Sequence, residues 1–266
     1  MFRPKCPITP RPGLYAAALA ALLAGATVQA ARVSIISSPG IIDEEGRGFF
    51  PELAQILYGD EIDVHASMFP PSRAIWVFEG RKADVLFAMP VCRMEGASYL
   101  RFGLHDYELF VGRVGQPLPK PGDNLAGKTI AVVGGLAHPL RKRQPDWKWY
   151  ETRDYQQALR MLAAGRVDYV YGFAFLMDQV MTDLKLNSQL RYDLGRPFDQ
   201  VIPALAVHND AAGLAEAKRL EVRFRAMVSD GSYLRLMRSY GYPMWYYQDG
   251  LNGRIGVTLA SDCPAE

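Results

Sequence analysis

The sequence predicts an α/β protein made of two successive β/α units, each large enough to form its own lobe. Three observations carry the prediction. Residues 33–89 alternate strand-like and helix-like segments in β-α-β-α-β order; a proline-dense stretch, residues 115–122, then interrupts all regular structure; and beyond it the alternation starts again.

The β-branched run 33–37, closed by the turn Ser38-Pro39-Gly40, reads as the first strand. A helix opens near Pro51, which suits a first helical position, and places Leu53, Ile56 and Leu57 on one face. Residues 61–66 read as a second strand and 72–79 as a helix stopped by Gly80. The nearly unbroken apolar run 83–89 suits a strand buried on both faces. Residues 107–114 give a further strand before the proline stretch, where a lobe boundary is expected. Beyond it come a strand over 129–133, a Gly134-Gly135 turn, a helix toward Arg143 and a strand near 147–151. A helix over 154–164, with Leu159 and Leu162 on one face, ends at Gly165 before a strand at 167–171. Residues 203–207 read as a last strand. Asp210 can cap a helix carrying Leu214, Ala217, Leu220, Phe224 and Met227 at helical spacing; Asp230-Gly231-Ser232 restarts it, and the tail from Gln248 is left without an element.

The N-terminus sets the expected compartment. Arg3, Lys5 and Arg11 precede an apolar run, residues 14–26, that leads into Val28-Gln29-Ala30, the pattern of a secretory signal peptide over residues 1–30. Its apolar core is about thirteen residues, short of the roughly twenty needed to span a bilayer, so no stable membrane insertion is expected. Three of the 30 basic residues and none of the 28 acids lie in this segment, so the formal charge of +2 becomes −1 once it is removed. That balance argues against nucleic acid as a partner. Cys92 and Cys263 remain, in a chain bound for an oxidising compartment; a disulfide between them is one reading and two free thiols the other.

Several patterns resemble chemistry without supporting it. Gly122-Asp123-Asn124-Leu125-Ala126-Gly127-Lys128-Thr129 fits a phosphate-loop pattern, but such a loop needs a strand before it and a helix after it, and here a proline-rich segment precedes and a strand follows. His65, His105, His138 and His208 have no local metal-ligand spacing, so no metal and no cofactor is expected. There is no Gly-x-Ser-x-Gly elbow. Arg141-Lys142-Arg143 near Trp147, Trp149 and Tyr150 is too short a basic cluster for nucleic-acid binding and reads as a solvated helix face.

Several segments, in this order and spacing, resemble a known family. They are Gly48-Phe49-Phe50-Pro51-Glu52-Leu53, Pro71-Ser72-Arg73-Ala74 through Glu79-Gly80-Arg81-Lys82-Ala83-Asp84, and Asn124-Leu125-Ala126-Gly127-Lys128-Thr129-Ile130-Ala131-Val132; Ala158-Leu159 through Leu162-Ala163-Ala164-Gly165-Arg166-Val167-Asp168 and Asp230-Gly231-Ser232 follow. The chain resembles the periplasmic solute-binding proteins, family 3, of polar-amino-acid uptake systems, as a divergent member. The resemblance implies a two-lobed periplasmic-binding-protein-like fold of type II topology with the cleft between lobes, residues 31–113 and 208–266 forming lobe 1 and 114–207 lobe 2. The chain would cross between lobes near residues 111–115 and 201–207, and the lobes would close over a small-molecule ligand by hinge bending.

Departures from the family pattern shape the expected site. Where the resemblance implies a small hydroxyl residue and an arginine for the ligand carboxylate, Cys92 and Glu95 stand; where it implies an acid for the ligand ammonium, Phe173 stands. The expected site is therefore more apolar: Met89, Pro90, Tyr171 and Phe173, with Arg73 or Arg93 as the cationic anchor, Ser38 from the first turn, and Gly135 and Leu136 offering backbone donors. The expected protein is periplasmic and monomeric, without catalytic residues, and delivers an amino-acid-like or carboxylate ligand to a separate inner-membrane ABC permease or membrane sensor. The rivals are an exported dehydratase-like enzyme on the same scaffold and a module that binds a protein partner.

Overall fold

The computed structural model describes residues 32–37, 42, 45–136, 138–243, 246 and 255–263. Its strands are β1 (Val33–Ile36), β2 (Met68–Phe69), β3 (Val85–Pro90), β4 (Ala97–Phe102), β5 (Asp106–Arg113), β6 (Thr129–Val133), β7 (Lys148–Thr152), β8 (Tyr169–Phe173), β9 (Leu190–Arg191), β10 (Asp199–Val201), β11 (Pro203–His208) and β12 (Ile255–Thr258). The helices are α1 (Phe49–Tyr58), α2 (Pro71–Glu79), α3 (Pro139–Arg143), α4 (Tyr155–Ala163), α5 (Ala174–Asp183), α6 (Ala211–Ser229) and α7 (Ser232–Ser239).

Two sheets result, ordered β12-β4-β11-β3-β1-β2 and β10-β5-β8-β6-β7, with β9 added beside β5. The sheets repeat one plan. In the first, β2, β1 and β3 are parallel and β11 lies antiparallel to β3; in the second, β7, β6 and β8 are parallel and β5 lies antiparallel to β8. In each sheet the strand that joins the parallel trio has just crossed from the other sheet. This is the two-lobed mixed α/β architecture of type II topology.

Local chemistry explains the element boundaries. The Asp154 carboxylate accepts the Gln157 N–H at 2.7 Å and Asp210 that of Gly213 at 2.9 Å, each capping a helix at a value of about 1 kcal/mol. Leu159 and Leu162 are buried on α4, and Ala217, Leu220, Phe224 and Met227 on α6. Leu53, Ala54, Leu57 and Tyr58 form the inner face of α1, whereas Ile56, expected there, is 46% exposed.

Other expectations are corrected. Residues 61–66 are not a strand: Asp63 accepts the Ala66 N–H at 3.0 Å, a local turn that competes with sheet pairing, and the strand comes later, at Met68–Phe69. The boundary near residue 114 is also displaced, because β5 pairs with β8 and β10 and so belongs to the second sheet. The chain leaves the first sheet after Phe102 and returns at Ile202, between β10 and β11. The prolines of residues 115–122 therefore interrupt the second lobe. Strands β4, β9 and β10 and helix α5 had no reading, and the tail, read as without an element, supplies β12 beside β4.

The apolar interior divides as the sheets do. Phe49, Phe50, Leu53, Phe87, Phe102, Phe224 and Tyr233 are among the buried residues of the first lobe, and Val111, Val133, Leu159, Leu162 and Val180 of the second. Phe175, at the start of α5, stacks at 4.3 Å on both Tyr242 and Tyr246 of the C-terminal segment, tying the lobes beside the crossings. Among the described residues no helix is long and apolar enough to cross a membrane.

Candidate functional site

The parallel strands of both sheets end facing the gap between the lobes, where α/β proteins place ligands. A cavity of about 40 Å³ lies there. The first lobe lines it with Ile36, Phe50, Pro71, Ala88 and Pro90, the second with Leu136, Phe173 and Leu176, and the crossings with Asp106, Val201, Pro203 and Tyr246. Ala88 holds a left-handed φ of 70°, opposite the register shift of β11 between Ala204 and Ala206. Such a backbone costs a non-glycine residue about 1 kcal/mol or more.

Asp106 is the one acid among the described residues that line this cavity. It opens β5 at the first crossing and is 3% exposed. Its Oδ1 accepts the N–H of Tyr107 at 2.7 Å and of Phe175 at 3.1 Å. The second bond caps α5, whose own N-cap, Phe173, has no acceptor on its side chain. Burial pushes the Asp106 carboxyl up to about 8, the backbone donors oppose this, and the charge of Glu108 adds to it.

A second cluster joins the lobes. Arg93, which follows β3 in the first lobe, places Nη2 3.1 Å from Glu108 Oε2 and 3.2 Å from Asp199 Oδ2 in the second. Glu108 also lies 2.6 Å from His138 Nδ1 and accepts the Tyr171 hydroxyl at 3.3 Å. Glu108 and the His138 side chain are fully buried, and the Arg93 side chain is 9% exposed. The arginine expected to meet a ligand anion is thus held by the protein's own carboxylates.

The lobes also touch across the gap. Gly135, at φ +82°, packs so closely on the first turn of α2 that a Cβ there would lie 2.1 Å from Ser72 Oγ. Only glycine combines that φ with that approach.

The remaining expected residues separate into three groups. Pro90, Leu136 and Phe173 line the cavity. Met89, Arg93, Gly135 and again Leu136 line a wider groove of about 810 Å³, together with Glu79, Glu95 and Lys142. Tyr171 and Arg73 line neither: Tyr171 is fully buried behind Glu108, and Arg73 is exposed with its guanidinium 5.4 Å from the Phe69 ring. Ser38 lies outside the described residues. Cys92 and Cys263 are joined in a disulfide, Cα atoms 5.3 Å apart, which fastens the segment after β12 beside Arg93. The phosphate-loop pattern leads into β6, as its rejection requires, and Lys128 sits 3.7 Å from Asp168. No group of three or more His, Cys, Asp or Glu among the described residues is arranged to hold a metal.

Asp106, Glu108, His138 and Asp199 were missed. The available signal lay in the strand itself: Asp106 and Glu108 stand two apart, on one face of an otherwise apolar run, which buries both acids together.

Neither a protein-family model nor a curated protein matches the chain in sequence. Solved structures do match in shape. The GluR0 ligand-binding core from Nostoc punctiforme, in complex with L-glutamate, superposes with a TM-score of 0.67 at 16% identity, over 79% of this chain and 99% of that one. A histidine kinase sensor domain with similarity to periplasmic binding proteins gives 0.63 at 18% identity, covering 80% and 97%. The ancestral amino-acid-binding protein AncCDT-1, a precursor of cyclohexadienyl dehydratase, gives 0.62 at 14% identity, covering 79% and 94%. With its two repeated sheets and the cleft between them, the chain has the two-lobed α/β fold of the family 3 type solute-binding proteins.

Proposed function

We propose that this protein is an exported, periplasmic solute-binding protein that captures a small organic ligand between its lobes, acts as a monomer, performs no chemistry and presents the ligand to a separate membrane partner. The observation that carries the reading is the interlobe cavity, walled by both lobes and bordered by a buried carboxyl whose Oδ2 accepts no hydrogen bond from the described residues. A concave, mostly apolar site with one or two placed polar groups is what small-molecule capture needs. The signal-like N-terminus supports export. The partner is an ABC importer or a membrane sensor; the likeness to a sensor domain supports the second as much as the family resemblance supports the first.

A thermal-shift screen against amino acids, amines, alcohols and small carboxylates tests the reading. A ligand at about a hundred times its Kd adds roughly 2.7 kcal/mol, a rise of about 5 to 10 °C for a chain of this size. A rise for one chemical class supports capture, and no rise across the panel, from folded and ligand-free protein, overturns it.

One observation favours a second reading, a dehydratase-like enzyme: Asp106 is a cleft acid held near neutrality, as general acid catalysis requires. Against it, the cavity of about 40 Å³ is far smaller than the roughly 150 Å³ that admits a benzene ring. Turnover of a cyclohexadienyl hydroxy acid, lost in Asp106→Asn, would establish the enzyme.

A further inference from the structure

Among the described residues, the buried carboxyl of Asp106 has hydrogen-bond partners at one oxygen. Oδ1 takes both backbone N–H groups, while Oδ2 accepts no hydrogen bond from the described residues, and no described Arg, Lys or His pairs with the carboxyl. A buried acid in an apolar setting is costly in its ionised form unless a cation or donor meets it. The described residues bring none, and the cavity bordering the carboxyl is open to one.

The sign of the missing group follows from the surroundings. Next to the cavity, Arg93 is shared by Glu108 and Asp199, and Arg143 lies 4.0 Å from Asp199, so these guanidinium groups already face the protein's own carboxylates. A ligand carboxylate in this cavity would meet the like charge of Asp106, whereas an ammonium would be attracted by it. Phe50, Phe173 and Tyr246 line the same cavity, and aromatic rings favour a nearby cation.

Size bounds the group further. About 40 Å³ is a few times the roughly 10–15 Å³ that admits one water and well below the roughly 150 Å³ that admits a benzene ring. Resting on the cleft-capture reading, we propose that the ligand is a small organic amine without a carboxylate, bound with its protonated nitrogen on Asp106 Oδ2 and its short apolar body against Phe50, Phe173 and Leu136.

Proton balance gives this proposal a signature. Ligand-free Asp106 is protonated below about pH 8, and an arriving ammonium requires the carboxylate, so each amine that binds expels one proton to solvent. Tyr107 and Glu108 share its strand, and Tyr155, Tyr192, Tyr242 and Tyr246 face it from neighbouring elements; burial pushes Tyr155, Tyr192, Tyr242 and Tyr246 upward, so these four stay neutral while Asp106 titrates.

The experiment is isothermal titration of the purified protein with methylamine through n-butylamine, set beside the matching alcohols and carboxylic acids, at pH 6 in two buffers of different ionisation enthalpy. The expected result is binding of one or more amines with release of about one proton, and a loss of at least about thirtyfold in affinity in Asp106→Asn. Asparagine keeps the Oδ1 acceptor for both backbone donors, and the proton count on the unmodified protein stands even where that variant fails to fold. Amine binding without proton release, or undiminished in folded Asp106→Asn, overturns the proposal. Binding of an acid or alcohol in preference to every amine overturns the amine class and leaves cleft capture standing. If neither this series nor the wider panel binds, both readings fall.

Discussion

Replacing Asp106 by Asn in the ligand-free protein separates the cost of burying that carboxyl from everything else in the fold. In the folded state the group titrates near 8, against 3.8 when free in solution, because burial disfavours its charge. Between those values the folded chain holds a proton that the unfolded chain has released, so stability falls as pH rises through this window; it is fully retained below about 4. Each pH unit removes up to about 1.36 kcal/mol. Over the roughly four units between, the limit is between 5 and 6 kcal/mol, and relaxation with water entry brings the expected loss to about 3 to 5 kcal/mol. Asparagine has the same shape and no charge to bury. Thermal unfolding followed from pH 5 to pH 8 should show the two proteins within about 1 kcal/mol of each other at pH 5. By pH 8 the variant should melt higher, by about 6 °C or more. Melting curves whose difference does not change with pH would refute the assignment of a neutral, buried Asp106.

Three further outcomes follow from contacts described above. Arg93→Met leaves Glu108 buried without its cation and should lower stability by about 3 to 5 kcal/mol, partly restored by adding Glu108→Gln; a single-variant loss under 1 kcal/mol in denaturant titration would contradict the ion pair. Replacing Cys92 and Cys263 by Ala should cost about 2 to 5 kcal/mol, and reductant should lower the Tm of the unmodified protein while leaving that variant unchanged. Gly135→Ala forces a methyl group against Ser72 and should hold the lobes apart, seen as a larger radius of gyration by small-angle scattering; an unchanged radius would show that the Ser72 side chain simply swings away.

Periodicity and punctuation made most of the fold legible. The alternation over 33–89 and its restart at Thr129 are strong local signals, and the second sheet does begin its parallel trio with the strand expected there. What failed was position in space. Proline density at residues 115–122 is a local property, whereas the passage between lobes is decided by which strand β5 pairs with, and pairing is non-local. The short strands β9, β10 and β12 gain their form only from neighbours distant in sequence. Pro90, Leu136 and Phe173 do line the interlobe cavity, a position that the resemblance and their apolar character made legible. Arg93 was placed near the cleft, but its partners lie 15 and 106 residues away, so its occupation could not be read from its own surroundings. Asp106 escaped because its pairing with Glu108 at alternate strand positions is a pattern of burial and matches no chemical motif.

Asp106 and Val201 face each other as register partners on β5 and β10, each beside one of the two passages of the chain between lobes. A turn of one lobe about a line through those passages moves each atom in proportion to its distance from the line. The carboxyl, almost on the axis, would scarcely move, while Ser72, in the first turn of α2, and Gly135, in the turn after β6, would have to part. A molecule gripped at the axis keeps its hold through the whole opening stroke, so occupancy and closure become separable quantities. A partner reading the outer rims would sense the second, and a titration of Asp106 the first.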